Sequence, residues 1–268
     1  MDTMTTPAPA PYRTREWKRA WTALRSLMAD PQRTDQVFEI IDALAGPSYE
    51  RQYQRFTANP AGRRLLAEKP SLIAALSDRE RLRALPEGSF GRAYLAFMDS
   101  GGLTADGLVA ADEMASERNP SPTADDPDRQ YFGDRLRDMH DLWHVLTGYG
   151  MDEAGEAANL AFTYGQIPSA GIALIVLAAA VEGPKAPSLS WQRYLYRAWR
   201  RGRRAAQLPL APYEELLPQP LDEVRRRLGI DPPHVAHPEG IIVANRDDEE
   251  AGSPPASGWQ GENEAARA

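Results

Sequence analysis

The sequence predicts an all-α protein, a single compact helical domain of about eight to ten helices with disordered termini. Three observations carry that prediction. Apolar residues recur at three- and four-residue spacing along most of the chain. Alternating β-branched runs do not occur, and the cluster Ile241-Ile242-Val243 is too short to build a sheet. There is no cysteine, so no disulfide framework or thiolate metal site substitutes for a packed core.

The elements follow in order. Residues 1–14, rich in Thr, Pro and Ala, read as a flexible leader. Residues 15–244 read as the helical domain. Trp17, Trp21, Leu24, Leu27 and Met28 mark a first helix. Val37, Ile40, Ile41 and Leu44 mark a second, with Thr34 or Asp35 as its N-cap. Gly91 to Met98 follows Ser89, a suitable N-cap, and the Pro86-Glu87-Gly88 turn. The glycines of that stretch suit either a helix connection or close approach to a ligand. Further helices are expected over Thr104 to Ala115, Asp126 to Leu146, Asp152 to Tyr164, Ser169 to Val181 and Ser190 to Ala206. A short one at Pro220 to Leu228 stops at Gly229 and Pro232-Pro233. Residues 245–268 hold the run Asp247-Asp248-Glu249-Glu250 and read as an acidic disordered tail.

Charge and hydropathy exclude several function classes. The formal net charge of −7 argues against nucleic-acid binding, which needs a basic footprint. The most apolar run, Ala170 to Val181, falls short of the ~20 residues of a membrane span. The N-terminus lacks the basic start and apolar stretch of a secretory signal, and Asp2 and Glu16 argue against a transit peptide. The expected location is cytoplasmic, free or on the inner face of a membrane.

Two of the four histidines stand in Met139-His140-Asp141-Leu142-Trp143-His144. On a helix, His140 and His144 share a face one turn apart, with Asp141 about 100° from one and about 60° from the other. Two imidazoles and a carboxylate suit a divalent metal: zinc, or iron or manganese where positions stay open. The Gly148-Tyr149-Gly150 turn would fold the next helix back, placing Glu156 as a fourth ligand with Glu153 as its competitor. The bland alternative is a solvated face or a satisfied core pair. His234 and His237 lie in a proline-rich loop and are weaker metal candidates.

Ala157 to Val181 carries almost no charge, and two readings are open: a buried core, or a greasy tunnel for a long hydrocarbon. For the tunnel the candidate lipid-binding residues are Phe162, Gln166, Pro168, Ile172 and Ile175. The segment Trp191 to Arg204 mixes aromatics with arginines. It reads as a solvated amphipathic helix or as a contact with anionic head groups, with Arg197, Arg200 and Arg201 as candidate membrane contacts.

These residues resemble the Coq-four family of ubiquinone (coenzyme Q) biosynthesis proteins. The resemblance rests on His-Asp-x-x-His followed, after eleven residues, by Glu: here His140, Asp141, His144 and Glu156. Flanking segments share it in order: Leu85 to Asp99, Gly165-Gln166-Ile167-Pro168, Ala198 to Leu208, Tyr213-Glu214 and Leu221 to Pro233. It spans roughly residues 33–233 and suggests a bacterial-type member, peripheral on an inner (cytoplasmic) membrane. The resemblance implies an all-helical fold and a divalent metal, zinc first, held by His140, Asp141, His144 and Glu156. It implies a polyprenylated quinone precursor as ligand and other ubiquinone-biosynthesis enzymes as partners. The implied activity is C1 decarboxylation coupled to hydroxylation of a polyprenylated 4-hydroxybenzoate, a lyase-type reaction; Glu153, one turn before Glu156, is by its position a candidate proton donor or acceptor. The alternative is a non-catalytic lipid-binding scaffold organising those enzymes. A metal-dependent hydrolase is a third reading, short of the distant ligands such sites need. A homodimer is an open expectation.

Overall fold

The computed structural model describes residues 14–31, 33–119, 125–183 and 188–243. The acidic tail, and all but the last residue of the leader, lie outside the described residues. Among the described residues the secondary structure is helical, and the single bridge between Ser89 and Pro220 builds no strand.

Helices α1 (Trp17–Ala29) and α2 (Thr34–Ala43) form an opening pair. Four short segments follow: α3 (Gly46–Ala58), α4 (Pro60–Glu68), α5 (Leu72–Ser77) and α6 (Arg79–Ala84). Next come α7 (Phe90–Gly101), α8 (Asp106–Arg118), α9 (Pro127–Asp138) and α10 (His140–Thr147). Then α11 (Glu153–Gln166), α12 (Ala170–Glu182) and α13 (Leu189–Arg204) complete the long helices. A 3₁₀ turn and the short α14 (Tyr213–Leu216), α15 (Leu221–Leu228) and α16 (Pro233–Ala236) close the described chain.

The described residues thus hold sixteen α-helical segments, more than the eight to ten expected. Two physical reasons account for the excess. The stretch from Gly46 to Ala84 folds into four helices that bury few large apolar side chains each, so it lacks a strong periodic stripe. The helix expected over Asp126 to Leu146 is divided at Met139, whose ψ of −3° breaks the regular helical turn.

The expected Ser89 cap forms, and Asp126 and Asp152, at two expected helix starts, are caps as well. Ser89 accepts from the Arg92 N–H, Asp126 from Asp128 and Arg129, and Asp152 from Ala154 and Gly155. At α2 the expectation fails: Arg33 occupies the N-cap without a side-chain bond, and Asp35 instead pairs with Arg33 and Arg118 at 2.9 Å each.

The site helix α10 lies at the centre of the main core. Leu142, Trp143, Val145 and Leu146 are buried against residues of α7, α11, α13 and α15. Helix α11 crosses α13 backbone to backbone: a Cβ on Gly202 would lie 2.1 Å from the Phe162 carbonyl oxygen. Helix α12 packs on α2 in the same way, with Gly171 against Ile41. The Gly88–Gly91 segment docks on its own chain, the Phe90 and Gly91 N–H groups donating to the Gln219 and Leu217 carbonyls at 2.8 Å. That is the helix-connection reading of those glycines.

Candidate metal centre

Three of the four expected ligands converge. His140 and His144 project from one face of α10, and the Gly148 turn (φ 75°) folds α11 back so that Glu156 meets them. His144 Nε2 lies 3.2 Å from His140 Nε2 and 3.3 Å from Glu156 Oε2, and His140 Nε2 lies 3.5 Å from Glu156 Oε2. A cation at the usual zinc–nitrogen distance of about 2.0–2.1 Å in a tetrahedron has ligand–ligand edges of about 3.3 Å. The three separations fit that figure.

Proton placement on the neutral His144 ring is compatible with the same geometry. His144 Nδ1 lies 3.1 Å from the Tyr149 carbonyl oxygen, which only accepts, so the proton sits on Nδ1 and Nε2 presents a lone pair. His140 can then place one N–H between two acceptors, the His144 nitrogen and the Glu156 oxygen. Either a cation or a second proton on His144 completes the arrangement: burial opposes that proton and the Glu156 carboxylate favours it.

The turn that sets His144 is bolted from below. Helix α10 ends with carbonyls that no residue of the helix can satisfy. Arg225 on α15 donates to the Leu146 and Val145 carbonyls at 3.1 Å each, and Arg201 on α13 donates to Thr147 at 2.7 Å. Both guanidiniums are buried, and that of Arg201 lies over the Tyr149 ring. Phe97 stacks on the His144 ring from α7, and Trp143 donates to the Tyr213 hydroxyl at 2.8 Å. Gly155 packs so closely on Gly150 that a Cβ would fall 2.1 Å from its carbonyl oxygen, which fixes the angle between α10 and α11.

Electrostatics separate the two carboxylates. Burial would raise the Glu156 carboxyl, but the charge of His144 and hydrogen bonds from both imidazoles outweigh it and hold Glu156 below the usual range. For His144, burial favours the neutral form while Glu156 pulls the value up, and the attraction prevails. Burial pushes the Asp141 carboxyl up, with His140 and His144 offsetting only part of it. Asp141 stands beside the three-donor group rather than within it. Glu153, at the exposed start of α11, is also outside the group.

The remaining candidates fall as follows. Phe162 is fully buried edge-on to Trp143, and Ile172 and Ile175 are core residues, Ile175 against Ala23, Leu24 and Ile40. Gln166 clamps α11 to α13, donating to the Gly202 carbonyl at 2.5 Å and accepting from the Leu208 N–H at 2.9 Å. Pro168 is exposed. On α13, Arg200 is exposed and Arg197 pairs with Glu239, whereas Arg201 is turned into the protein and engaged there. That engagement removes Arg201 from any membrane surface. His234 is exposed on α16. His237 is buried, its Nε2 2.9 Å from the Tyr149 hydroxyl, and burial pushes it down to about 4. It belongs to the packing behind the site.

Sequence reasoning missed Arg201's inward role, Arg225 and Asn159. Asn159, one turn along α11 from Glu156, is fully buried with neither amide atom bonded among the described residues. Its spacing from Glu156 was the available signal. No helix among the described residues is long and apolar enough to cross a membrane.

Comparisons with known proteins agree on one family. The family model described as coenzyme Q (ubiquinone) biosynthesis protein Coq4 matches residues 13–234. The mitochondrial ubiquinone biosynthesis protein COQ4 of Pyricularia oryzae is 31% identical over 209 residues, covering 77% of this chain and 65% of that protein. Its counterpart in Pyrenophora tritici-repentis is 32% identical, covering 76% and 68%, and that of Yarrowia lipolytica 31%, covering 76% and 75%. The chain therefore spans about two thirds of the length of the first two relatives. These relatives are named as mitochondrial, which does not bear out the bacterial inner-membrane expectation. A crystal structure of a candidate ubiquinone biosynthesis protein from Nostoc punctiforme shares the fold, with a TM-score of 0.57, 22% identity, and coverage of 81% of this chain and all of that one.

Proposed function

This chain belongs to the coenzyme Q (ubiquinone) biosynthesis protein Coq4 family, and from that premise we propose that it works in ubiquinone biosynthesis on a ring precursor carrying a polyprenyl tail. The reaction is replacement of the C1 carboxylate of a 4-hydroxybenzoate by hydroxyl: carbon dioxide leaves, and the oxygen comes from an oxidant outside this chain. The observation that supports it most is the convergence of His140, His144 and Glu156 at 3.2–3.5 Å within a family of this function.

His140 and His144 would hold a divalent ion, zinc first, through Nε2, and Glu156 through Oε2, with Asp141 close enough to contribute charge. Such an ion supplies Lewis acidity toward a carboxylate or ring oxygen. The chain's own residues do the rest. The Tyr149 carbonyl keeps the His144 proton on Nδ1. Phe97 and Trp143 shield the inner side from water. Asp141, whose carboxyl is raised by burial, holds a proton more readily than Glu156 does. Exposed Glu153, one turn before Glu156, relays protons to solvent. The polyprenyl tail lies on the outer face of α12, where Leu177 and Val181 are exposed, each buried CH₂ contributing about 0.8 kcal/mol. The protein works at the surface of the membrane carrying that lipid, among other biosynthetic enzymes.

The test couples metal content to turnover. Protein purified without chelator is expected to carry about one zinc, iron or manganese ion per chain, lost in His140→Ala/His144→Ala. Loaded protein given a prenylated 4-hydroxybenzoate, dioxygen and a two-electron reductant is expected to release carbon dioxide and yield the ring-hydroxylated product, the second oxygen atom leaving as water. No bound metal after add-back, or full turnover in the double variant, refutes the proposal.

One observation favours a second reading. The three donors join α10 to α11, so an ion there would also staple the helical hairpin. In a lipid-binding scaffold His144→Ala would lower stability or partner capture with no turnover to lose; in the enzyme it abolishes turnover while lipid still binds.

A further inference from the structure

A second concave site lies on the far side of α13, and it takes nothing from the metal-site reading. Arg193, Arg197, Arg200, Arg201 and Arg204 are spaced so that they line one face of that helix. The opposite face, with Trp191, Leu195 and Ala198, is buried in the core. The arginine face does not open flat to solvent. The chain from Gly229 to Pro238 rises beside it, leaving a cleft of about 410 Å³. Val235, Ala236 and Pro238 form its apolar wall and Tyr196 its aromatic rim, with the Arg200 guanidinium 6.0 Å from that ring's centre.

The charge balance of the cleft is opposite to that of the whole protein. Five guanidiniums face Asp231 within the lining and Glu239 beside it, in a chain of net charge −7. Among the described residues Arg200 and Arg204 have no ion pair, and Arg193 has only the attraction of the Glu239 carboxylate that Arg197 holds. Gathering like charges in a cleft is unfavourable without an anion to share them, and guanidinium forks match phosphate oxygens in geometry. One contact shows how an anion would be held. Glu239 meets both terminal nitrogens of Arg197, Nη2 to Oε1 at 3.0 Å, the two-pronged contact that a phosphate also makes. Arg201, 5% exposed, lines the cleft with its Nη groups already committed to the Thr147 and Asp231 carbonyls.

We infer that this cleft between α13 and the Gly229–Pro238 segment is a binding site for a phosphate-bearing ligand, gripped by Arg193, Arg200 and Arg204, and by Arg197 once the ligand displaces Glu239 from it. The shared chemistry is a phosphate mono- or diester or a diphosphate, supplied either free in solution or as an anionic lipid head group. The cleft's volume suits a small ligand, and its apolar wall suits a short carbon segment next to the phosphate.

The experiment uses the full chain in phosphate-free buffer at low ionic strength, where such contacts are least screened. Inorganic pyrophosphate is titrated by calorimetry, and co-sedimentation is measured with phosphatidylcholine vesicles with and without phosphatidylglycerol. Arg200→Glu/Arg204→Glu reverses two exposed charges of the cleft. Arg25→Glu/Arg81→Glu makes the same change on exposed arginines of α1 and α6. Expected is saturable pyrophosphate binding, weakened about tenfold or more in the cleft variant, equivalent to about 1.4 kcal/mol, and unchanged in the control. Pyrophosphate binding without vesicle capture assigns a soluble phosphate. Capture that requires phosphatidylglycerol and is competed by pyrophosphate assigns a head group. Absence of both in the wild type, or equal loss in the control variant, overturns the site. Circular dichroism checks folding, and Arg200→Gln/Arg204→Gln replaces the reversal if it fails to fold.

Discussion

Replacing Arg225 with Met tests whether the site helix is held by a side chain from a distant part of the chain. Met keeps much of the apolar stem and removes the guanidinium. Arg225 is 2% exposed and donates to the Leu146 and Val145 carbonyls at 3.1 Å each. Its loss leaves two buried carbonyls at the end of α10 without those donors. At about 1–3 kcal/mol for each unsatisfied buried group, the expected loss is about 3 kcal/mol, the lower half of the simple sum, because the helix end relaxes. For a chain of this size that lowers the melting temperature by about 6–12 °C. The assay is urea unfolding followed by circular dichroism, with the change read from the midpoint at constant slope. Arg226→Met is the control: its side chain is 70% exposed and pairs with Glu223 on the surface, so a change within about 0.5 kcal/mol is expected. An Arg225→Met loss no larger than the control's would refute the reasoning that this guanidinium satisfies the end of α10.

Four further outcomes follow from the structure. Gly202→Ala places a methyl 2.1 Å from the Phe162 carbonyl oxygen and must push α11 from α13, costing about 3 kcal/mol by chemical unfolding; a neutral result would contradict the close crossing. His237 is held neutral by burial, with a folded value of about 4. The unfolded chain takes up that proton near 6.5, so stability is full above that pH and falls by about 3 kcal/mol as the pH drops toward 4. His237→Gln should flatten that part of the stability–pH curve, and an unchanged slope would assign it to other groups. Zinc at about one hundred times its dissociation constant should raise wild-type stability by about 2.7 kcal/mol and leave His140→Ala/His144→Ala unmoved in a thermal melt. Asn159→Leu should leave stability level or higher, because neither amide atom has a described partner; a loss above about 1 kcal/mol would reveal a bound water or ligand at that amide.

The long helices were legible in the sequence where apolar residues face a core. The pattern Val37, Ile40, Ile41 and Leu44 is one case, and the Ser89 cap and the helix start at Asp152 recur in the structure. Helix α3 was not legible because it packs through polar groups: buried Glu50 meets Arg129 at 2.9 Å, and Phe56 is its single large buried apolar residue. Hydrophobic periodicity carries no trace of such an interface. At the site, His140 and His144 were legible because one helical turn places them together. Glu156 was legible because the glycine turn between the helices was. The arginines that hold the site were not. Arg201 and Arg225 look like other arginines of amphipathic helices, and only the folded chain shows that their heads point inward to carbonyls of α10.

Those two arginines also set an order of events during synthesis. Thr147 and its donor Arg201 are 54 residues apart, and Leu146 and Arg225 are 79 apart. A chain growing from its N-terminus therefore releases His140, His144 and Glu156 from the ribosome well before the side chains that fix their geometry. At about 5–20 residues per second, that interval lasts several seconds. During it the three donors stand on a hairpin whose last turn lacks its guanidinium partners. On the proposed metal reading, a cation would be held loosely in that interval and firmly only after α15 docks. The geometry of the site is thus governed by the last fifth of the described chain rather than by the segment that carries the donors.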